Sequence, residues 1–441
     1  MPEKPKLSFI GLGKLGSPVA TVFASRGFPV VALDINEKYV RAVNDGIAPV
    51  VEPKLQEYLN KARGNIRATQ NYGELIAESD ITFLIIPTPS LPDGHFSDAY
   101  LKDALKDLAA ELRQSRKPFH IFVIVSTVSP GTVEKSLIPW IERHSARKFN
   151  EGFGVAYNPE FIALGDVING LLRPDMVLIG EGSKEVGELL EDIYGSVCEN
   201  KPNIARMSIV SAEIAKISLN VYVTTKISFA NTLANVCEQV PGADVDAITR
   251  ALGADKRISP YYLSGGLSFG GPCFPRDGRA FVAFAKNCGI DAKIAKATDE
   301  INQRQIPNLV KTALKYLPEH KKAAAVFGLA YKPSTPVIEE SPAVALVDEL
   351  LKNGVMVTVY DPLAMDNAKA LWSDKVFYAS SVKAALEAAP LCIFTTKESE
   401  FMALSADDIV HEPTTIIDCW RMFDPAKLGK KVKYVAVGRY Q

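Results

Sequence analysis

Short runs of apolar and β-branched residues alternate with helical patterns in the first third of this 441-residue chain, and the alternation starts again in its last third. Such runs predict strands buried on both faces, and strands separated by helices predict a parallel sheet covered by helices on both sides. We therefore predict an α/β protein of the doubly wound class, with two such halves. The predicted strands are LSFI (7–10), PVVALD (29–34), ITFLIIP (81–87), HIFVIVSTV (120–128), FGVAYNP (153–159), MVLIG (176–180), AAAVFGLAY (323–331), VMVTVYDP (355–362), PLCIFTT (390–396) and TTIIDCW (414–420).

Composition argues against several other classes of protein. Lys plus Arg is 50 and Asp plus Glu is 51, so the net charge of −1 gives no global reason to bind nucleic acid or an anionic membrane. No apolar run approaches the ~20 residues of a membrane-spanning helix, and the N-terminal stretch does not resemble a signal peptide. The six cysteines and five histidines are scattered, without C-x-x-C spacing. We expect a cytosolic protein without a metal site and without a nucleic-acid or membrane partner.

The middle of the chain predicts one long helix. From about Ser211 to Val240 there is neither proline nor glycine, and apolar residues recur at helical spacings. Thirty helical residues would span ~45 Å, which is too long for one small core. We predict that this helix connects domains and, because it is apolar on several sides, packs against a second copy of the chain.

The segment GLGKLG, from Gly11 to Gly16, fits the pattern G-x-G-x-x-G. The pattern is weak alone, but here it follows a predicted strand, precedes a helical stretch, and Asp34 ends the next predicted strand. Gly11 would allow the tight turn, Gly13 would let the backbone approach a pyrophosphate, and Gly16 would allow close helix–strand packing. Because Asp34 would accept hydrogen bonds from ribose hydroxyls and repel a 2′-phosphate, the motif favours NAD over NADP. The alternative is a turn in an unliganded domain of the same class.

A second candidate site lies in SFGGPCFPRD, residues 268–277. Two glycines permit a sharp turn before Cys273, and Pro275 suits the first turn of a helix. A thiol near a helix N-terminus ionises more easily, and Asp277 would lie on the same helix face. These features favour a catalytic thiol, while the alternative is a buried structural cysteine.

Two residue pairs on the predicted long helix carry possible chemistry. Lys216 and Asn220 share a face, so the lysine could donate to an oxyanion, or its amine could equally extend into solvent. Tyr222 and Lys226 form a Y-x-x-x-K pair typical of short-chain dehydrogenases, which we interpret as ordinary helix packing. The loops IPTPS (86–90) and STVSPGT (126–132) follow strands, so they would either line the ligand crevice or serve only as turns.

Taken together, these segments resemble the UDP-glucose/GDP-mannose dehydrogenase family over nearly the whole chain. The motifs that carry the resemblance, in the family's order, are GLGKLG, Asp34, IPTPS, STVSPGT, NPEF (158–161), AEIAKISLN (212–220), DKRI (255–258), SFGGPCFPRD, FGLAYKPST (327–335) and IIDCWR (416–421).

The resemblance implies three domains and one reaction. Residues 1–202 would form a Rossmann-like NAD-binding domain, 203–305 a central helical dimerisation domain, and 306–441 a Rossmann-like domain that binds the nucleotide sugar. The reaction would be the four-electron oxidation of a sugar C6 alcohol to a carboxylate by two NAD in turn, through a cysteine thiohemiacetal and thioester. The favoured substrate is UDP-glucose. The protein would be a homodimer or a higher homo-oligomer.

The resemblance also implies roles for individual residues. The expected catalytic residues are Cys273 (nucleophile), Lys216 and Asn220 (oxyanion donors), Asp277 (proton or water handling), Glu160 (base for hydrolysis) and Thr127 (water positioning). The residues expected to bind NAD are Gly11, Gly13, Leu15, Gly16, Asp34, Pro87, Thr88, Ser126, Thr127 and Arg276. The residues expected to bind the nucleotide sugar are Phe161, Ile162, Ala163, Leu164, Lys216, Asn220, Arg257 (reaching the neighbouring subunit's substrate), Tyr261, Phe269, Gly270, Phe274, Tyr331, Lys332 and Arg421.

Two positions depart from the family pattern, and they leave alternatives open. Leu164 stands where many relatives have a second glutamate, so Glu160 would carry more of the hydrolysis. Glu339 stands where many relatives have an arginine that contacts the cofactor, and Arg276 is a candidate compensator. ISPYYL (258–263) looks more like the GDP-mannose branch, and UDP-N-acetylhexosamines stay open as substrates. Further alternatives are a two-electron β-hydroxyacid dehydrogenase and a catalytically silent NAD-binding protein.

Overall fold

The computed structural model describes residues 4–162, 164–317, 322–411 and 414–440. The chain divides into two compact units, Met1–Ser218 and Leu219–Gln441. The finer division into three domains remains a prediction. Within the described residues, no helix is both long and apolar enough to cross a membrane, and no group of His, Cys, Asp and Glu side chains is arranged to hold a metal ion.

The first unit contains an eight-stranded sheet. Its strands are β1 (Leu7–Ile10), β2 (Val30–Leu33), β3 (Ile66–Thr69), β4 (Ile81–Leu84), β5 (Ile121–Ile124), β6 (Gly154–Tyr157), β7 (Met176–Glu181) and β8 (Asn203–Ser208). Its helices are α1 (Gly16–Ser25), α2 (Glu37–Asn44), α3 (Leu55–Lys61), α4 (Tyr72–Glu78), α5 (Ala99–Gln114), a π-helical turn (Val133–Leu137), α6 (Ile138–Ser145), α7 (Val167–Leu172) and α8 (Lys184–Val197).

The strand order of this sheet is β3-β2-β1-β4-β5-β6-β7-β8. All neighbouring strands are parallel except β6 and β7, which pair antiparallel. The prediction of a parallel sheet is therefore wrong for this one junction. An apolar run such as MVLIG predicts burial but carries no information on strand direction, so the sequence pattern could not reveal the reversal.

Helix α9 (Ile209–Cys237) has residues in both units. It begins within two residues of the predicted start at Ser211, and its 29 residues confirm the long central helix. The remaining helices are α10 (Val245–Gly253), α11 (Phe274–Asn287), α12 (Lys293–Tyr316), α13 (Pro342–Lys352), α14 (Met365–Trp372), α15 (Val382–Ala388), α16 (Ser399–Met402), a 3₁₀ turn (Ala406–Asp408) and α17 (Pro425–Leu428).

The second unit contains a six-stranded sheet in which all neighbouring strands are parallel, in the order β11-β10-β9-β12-β13-β14. Its strands are β9 (Ala323–Phe327), β10 (Met356–Tyr360), β11 (Phe377–Tyr378), β12 (Leu391–Phe394), β13 (Thr414–Asp418) and β14 (Val432–Ala436). Alternate residues of the central strands enter separate cores on the two faces, as Val326 and Phe327 do. This is the doubly wound architecture predicted from the apolar runs.

The two units share the backbone geometry of one turn. Gly11 and Gly328 follow β1 and β9 with φ of 100° and 88°. In the first unit Asp34 accepts a hydrogen bond of 2.6 Å from the N–H of the residue after the glycine, and in the second unit Asp361 accepts one of the same length from the corresponding residue, Leu329. FIGLGKLG (9–16) and VFGLAYKP (326–333) therefore form the same turn, and the similarity of their sequences reflects a structural repeat.

Candidate functional site

The glycine turn after β1 leaves an open approach to its backbone. A Cβ at Gly11 would overlap the carbonyl oxygen of Ile85, and a Cβ at Gly16 would overlap the carbonyl oxygen of Gly11. A Cβ at Gly13 would meet no atom within 4 Å. Gly11 and Gly16 are thus required by packing, whereas Gly13 faces free space at the N-terminus of α1. A pyrophosphate fits there because backbone N–H groups at the positive end of a helix attract it.

The carboxylate of Asp34 lies at the carboxyl end of β2, half-buried. Its two oxygens accept hydrogen bonds from the backbone N–H groups of Leu12 and Asn36, at 2.6 and 2.7 Å. A carboxylate oxygen has two lone pairs, so each oxygen can accept one more hydrogen bond. The side chain therefore fits the ribose hydroxyls of NAD. Leu15 is the N-cap residue of α1 and packs against the core of this unit.

The loops after β4 and β5 are tied to each other. The hydroxyl of Thr88 donates to the carbonyl oxygen of Thr127 at 2.6 Å, and the hydroxyl of Ser126 donates to that of Ile86 at 2.7 Å. Pro87 is exposed between them. Since the strand order reverses between β1 and β4, these loops border the crevice where doubly wound sheets bind ligands.

Glu160 follows β6 and belongs to a buried polar cluster of the first unit. The hydroxyl of Tyr194 lies within hydrogen-bond distance of two acceptors. These are Oδ1 of Asn158, at 2.6 Å, and Oε1 of Glu160, at 3.2 Å. Burial raises the pKa of Glu160 to about 7, although Tyr194 and the charge of Lys216 lower it. A carboxyl group with a pKa near neutrality can act as a base or an acid at physiological pH.

The amine of Lys216 is buried instead of extending into solvent. Nζ donates a hydrogen bond of 2.8 Å to the carbonyl oxygen of Glu160 and lies 4.7 Å from the ring centre of Phe161. The next residues, Ile162 and Leu164, pack against the core of this unit, and the predicted contact Ala163 lies outside the described residues. The structure thus brings Glu160, Phe161 and Lys216 together.

Cys273 is the N-cap residue of α11, with Pro275 in the first turn. The residue is exposed, so the thiol lies at the positive end of a 14-residue helix, as predicted, and is not a buried structural cysteine. One turn later, the buried carboxylate of Asp277 accepts a hydrogen bond of 2.6 Å from Nδ2 of Asn220. In the second unit the thiol and the carboxylate thus lie in the first turn of α11, and the amide on α9 is hydrogen-bonded to that carboxylate.

The glycines before Cys273 are required by close packing. Gly271 has a φ of 83°, and a Cβ there would lie 2.5 Å from the ring of Tyr331. A Cβ at Gly270 would overlap the carbonyl oxygen of Glu340. Burial, together with the nearby Cys273, raises the pKa of Tyr331 to about 12, so its phenol is neutral at physiological pH.

Two other predicted substrate residues, Phe269 and Phe274, lie in this loop, and a third, Lys332, follows Tyr331. Phe269 exchanges two hydrogen bonds with the side chain of Asn302, at 2.8 and 3.0 Å. Phe274 meets the rings of Phe269 and Tyr262 edge-on, and Nζ of Lys332 lies 5.9 Å from the ring centre of Tyr331.

Several predicted residues lie on the surface or beside the loop. Arg257 is exposed and pairs with Asp255 at 2.6 Å, and Tyr261 is exposed. Arg276, three residues after Cys273, is partly buried. The side chain of Glu339 is exposed, and its carbonyl oxygen accepts a hydrogen bond of 3.1 Å from the N–H of Gly271.

Arg421 has a different environment from the one expected. Its guanidinium is 1% exposed and makes two hydrogen bonds to the carboxylate of Asp246, at 2.7 and 2.8 Å. Its other N–H groups donate to the carbonyl oxygens of Val437, Gly265 and, at 3.4 Å, Cys419. Because all five donors are engaged within the protein, this geometry disfavours the predicted contact between Arg421 and a nucleotide sugar.

Three polar side chains that the sequence analysis did not assign to the site hold its loops. The carboxylate of Glu52 accepts hydrogen bonds from the N–H groups of Gly165 and Val167, after the Glu160 segment. The carboxylate of Glu213 does the same for the loop after β5. The amine of Lys226, interpreted above as packing, donates to two carbonyl oxygens of the 255–262 loop at 3.1 Å. For Glu213 and Lys226 the available signal was a charged residue within an apolar helix.

Three models of the UDP-glucose/GDP-mannose dehydrogenase family match in order: the NAD binding domain over residues 5–198, the central domain over 210–304 and the UDP binding domain over 325–425.

Individual relatives match over most of their length. The UDP-glucose 6-dehydrogenase of Haloferax volcanii is 35% identical over 94% of this chain and 96% of its own. The GDP-mannose 6-dehydrogenase of Pseudomonas syringae pv. tomato is 33% identical over 81% of this chain and 80% of its own. The solved structure of a UDP-glucose dehydrogenase from Pyrobaculum islandicum has a TM-score of 0.88 at 31% identity, covering 99% of this chain and 98% of that chain. The chain therefore belongs to the UDP-glucose/GDP-mannose dehydrogenase family and is an NAD-dependent oxidoreductase.

Proposed function

We propose that this protein oxidises the C6 hydroxyl of a nucleotide sugar to a carboxylate in two steps, and that its substrate is UDP-glucose. The observation that carries the proposal is the exposed thiol of Cys273 at the N-terminus of α11, one turn from the buried Asp277. An alcohol dehydrogenase that stops at the aldehyde has no need of a nucleophile. A second oxidation does, because an aldehyde must gain a substituent before it can lose another hydride.

The reaction releases two hydrides, and two NAD molecules bound in turn would each accept one of them. Loss of a hydride and a proton from the alcohol gives the aldehyde. The thiolate of Cys273 adds to the aldehyde carbon, and Lys216 and Asn220 are the proposed donors to the resulting oxyanion. Loss of the second hydride leaves a thioester. Water then breaks the carbon–sulfur bond, which releases the carboxylate and restores the thiol.

Glu160 is the proposed base for this hydrolysis. Its pKa of about 7 means that a large fraction is ionised and able to take a proton from water at physiological pH. Leu164 supplies no second carboxylate, so the proposed proton transfer depends on Glu160, with Thr127 positioning the water. Asp277 orients the amide of Asn220 through the hydrogen bond between them.

The choice of substrate rests on the relatives. The relative at 35% identity is named a UDP-glucose 6-dehydrogenase, and the matched C-terminal model is a UDP binding domain. GDP-mannose is the first alternative, since a GDP-mannose 6-dehydrogenase is 33% identical. UDP-N-acetylhexosamines are the next alternative. Tyr331, Lys332 and the loop of Phe269 to Phe274 are the proposed contacts of the second unit with the nucleotide sugar.

We also propose that the protein acts as a homodimer through α9. Tyr222, Phe229 and Val236 lie seven residues apart on this helix and are 66%, 52% and 53% exposed. Such spacing places them along one face of the helix, and an apolar stripe of this kind packs against a matching stripe of a second copy. None of the six cysteines is joined in a disulfide bond, and we propose a cytosolic location for the protein.

The test is the amount of NADH formed per UDP-glucose consumed, read at 340 nm with excess NAD and limiting sugar nucleotide. About two NADH per sugar would support the four-electron reaction. About one would mean that the aldehyde is released, and the roles of Cys273 and Glu160 would be wrong. If UDP-glucose gives no NADH, the same assay with GDP-mannose and the N-acetylhexosamine nucleotides decides between the other substrates and a silent NAD-binding protein.

A further inference from the structure

Glu213 is a fully buried carboxylate on α9, three residues before Lys216. Its neighbours on the helix are apolar and enter the core of the first unit, as Ile209 and Ala212 do. A carboxylate in such surroundings is costly to bury unless hydrogen bonds compensate it.

Both oxygens of Glu213 bind the loop that follows β5. Oε1 accepts a hydrogen bond of 2.9 Å from the N–H of Val133, and Oε2 accepts one of 2.5 Å from the N–H of Gly131. Val133 begins the π-helical turn, so these donors belong to the start of a helical segment and lack partners within it. The carboxylate supplies those partners.

The other end of the same loop is held as well. Ser126 is fixed by its bonds to the backbone of Ile86, and the carbonyl oxygen of Thr127 by the hydroxyl of Thr88. Within the loop, the N–H of Thr132 donates to the carbonyl oxygen of Ser129 at 3.0 Å. The segment 126–133 is therefore anchored at both ends, and Glu213 provides the anchor at its C-terminal end.

Nearby charges do little to compensate the buried carboxylate of Glu213, so its compensation comes from these two hydrogen bonds. Burial raises its pKa to about 7, while the N–H groups of Val133 and Gly131 lower it. The nearby Glu134 and Lys135 act in opposite directions. No described ion pair involves Glu213. A glutamine of the same shape would accept one of the two hydrogen bonds and turn its own N–H₂ toward the other donor.

We propose that Glu213 is a positioning residue for NAD: it holds segment 126–133 in the shape that presents Ser126 and Thr127 to the cofactor crevice beside β1 and β4. The inference rests on the proposed function only for the role of these two residues. Glu213 itself touches neither cofactor nor substrate in this proposal, and acts through the loop.

The test compares Glu213→Gln with Glu238→Gln. Glu238 follows the end of α9, and its carboxylate accepts a hydrogen bond of 2.9 Å from the N–H of Gly438, far from this loop along the chain. Both variants thus weaken a carboxylate-to-backbone contact, and both should lower Tm. The dissociation constant of NAD is measured by titration without sugar nucleotide, well below the Tm of each variant.

We expect Glu213→Gln to weaken NAD binding about five- to tenfold, because one loop contact is lost and the loop must be ordered on binding. The KM for the sugar nucleotide should stay within about twofold, and Glu238→Gln should change neither constant. Wild-type NAD affinity in Glu213→Gln would overturn the proposal. If that variant does not fold, Glu213→Asp, which keeps the charge but shortens the reach, should show the same change in NAD affinity.

The test of Glu213 can fail or succeed independently of the proposed reaction. A wrong substrate or a two-electron reaction would appear in the NADH yield of the unaltered protein, whereas the NAD titration needs no turnover.

Discussion

The side-chain amide of Asn220 donates a hydrogen bond of 2.6 Å to the buried carboxylate of Asp277. Asn220 lies on α9, and Asp277 lies in the first turn of α11, whose N-cap is Cys273. The bond fixes which way the amide points and leaves its second N–H available. Asp277, four residues after the proposed nucleophile Cys273, therefore orients the amide of Asn220, a role that explains its burial better than proton transfer with bulk water.

Cys273→Ser tests the nucleophile. Serine keeps the shape but is not ionised at neutral pH, so the second oxidation should stall, and NADH formation should fall by at least about 10³-fold. The matched control is Cys288→Ser, because Cys288 is also exposed and caps the other end of α11. The assay is steady-state NADH formation at 340 nm. Unchanged turnover in Cys273→Ser would refute the thioester route.

Glu160→Gln should separate oxidation from hydrolysis. Without the base, the thioester should accumulate, so that a burst of about two NADH per site is followed by slow turnover, and intact-protein mass spectrometry should find a covalent adduct at Cys273. In the unaltered enzyme, kcat should rise with pH through about 7, because the raised pKa of Glu160 means that its base form appears only there.

A second carboxyl group, that of Glu213, could produce the same pH dependence of kcat. Glu213 also has a pKa raised to about 7 and is retained in Glu160→Gln. If slow turnover in that variant still rises with pH through the same range, the limb belongs to Glu213 and the assignment to Glu160 is wrong.

Gly13→Ala and Gly16→Ala form a matched pair for the glycine turn. A Cβ at Gly13 meets no protein atom within 4 Å, whereas one at Gly16 overlaps the carbonyl oxygen of Gly11. Gly13→Ala should therefore keep its Tm within about 2 °C and weaken NAD binding at least tenfold, and Gly16→Ala should lose stability. Thermal unfolding and NAD titration decide. Wild-type NAD affinity in Gly13→Ala would place the pyrophosphate elsewhere.

Phe229→Glu tests the apolar stripe of α9. A charge in the middle of a two-helix contact is unpaired and desolvated, so we expect monomers at concentrations where the unaltered protein is dimeric. Met356→Glu is the control, because Met356 is 54% exposed and lies on β10 instead. Light scattering after size-exclusion chromatography gives the masses. A monomeric unaltered protein, or a dimeric Phe229→Glu, would remove α9 as the interface.

Arg421→Ala separates a structural role from substrate binding. Removing one partner of a buried ion pair costs about 3–5 kcal/mol, so the free energy of unfolding should fall by that amount. Asp246→Ala should cost a similar amount, and the double variant should cost less than the sum. The KM for the sugar nucleotide should change less than about twofold below Tm. A tenfold rise in KM with little loss of stability would instead support the sequence prediction that Arg421 contacts the nucleotide sugar.

The ten strands predicted from apolar runs are all present, and the strands that sequence analysis missed are β3, β8, β11 and β14. Each of these lies at an edge of its sheet. An edge strand is covered on fewer sides, so NIARMS and VKYVA carry charges among their apolar residues and lack the continuous run that marks a central strand. A continuous apolar run indicates a buried strand, so it marks the centre of a sheet and not its edges.

The site residues also fall into two groups, those that local sequence determines and those that only the fold brings together. Gly11, Gly16 and the N-cap position of Cys273 could be predicted because local backbone geometry determines them. Glu213 and Lys226 were not recognised, since their partners are backbone groups distant in sequence, which no local spacing reveals. Arg421 was placed with the substrate because a single motif suggested it. Its partners lie on three separate segments that only the fold brings together.

The repeated turn has a kinetic consequence. Asp34 accepts one backbone N–H at each oxygen, but Asp361 is buried and accepts two at each, from Leu329 and Ala330 and from Leu363 and Ala364. The acid of the second unit thus has no lone pair left for a ribose, and the repeat does not amount to two cofactor sites. A chain that draws on two NAD through one such turn must exchange cofactor halfway through each turnover. The half-oxidised sugar must then remain bound while NADH dissociates and a second NAD binds. A carbon–sulfur bond to the protein would keep it in place during this exchange.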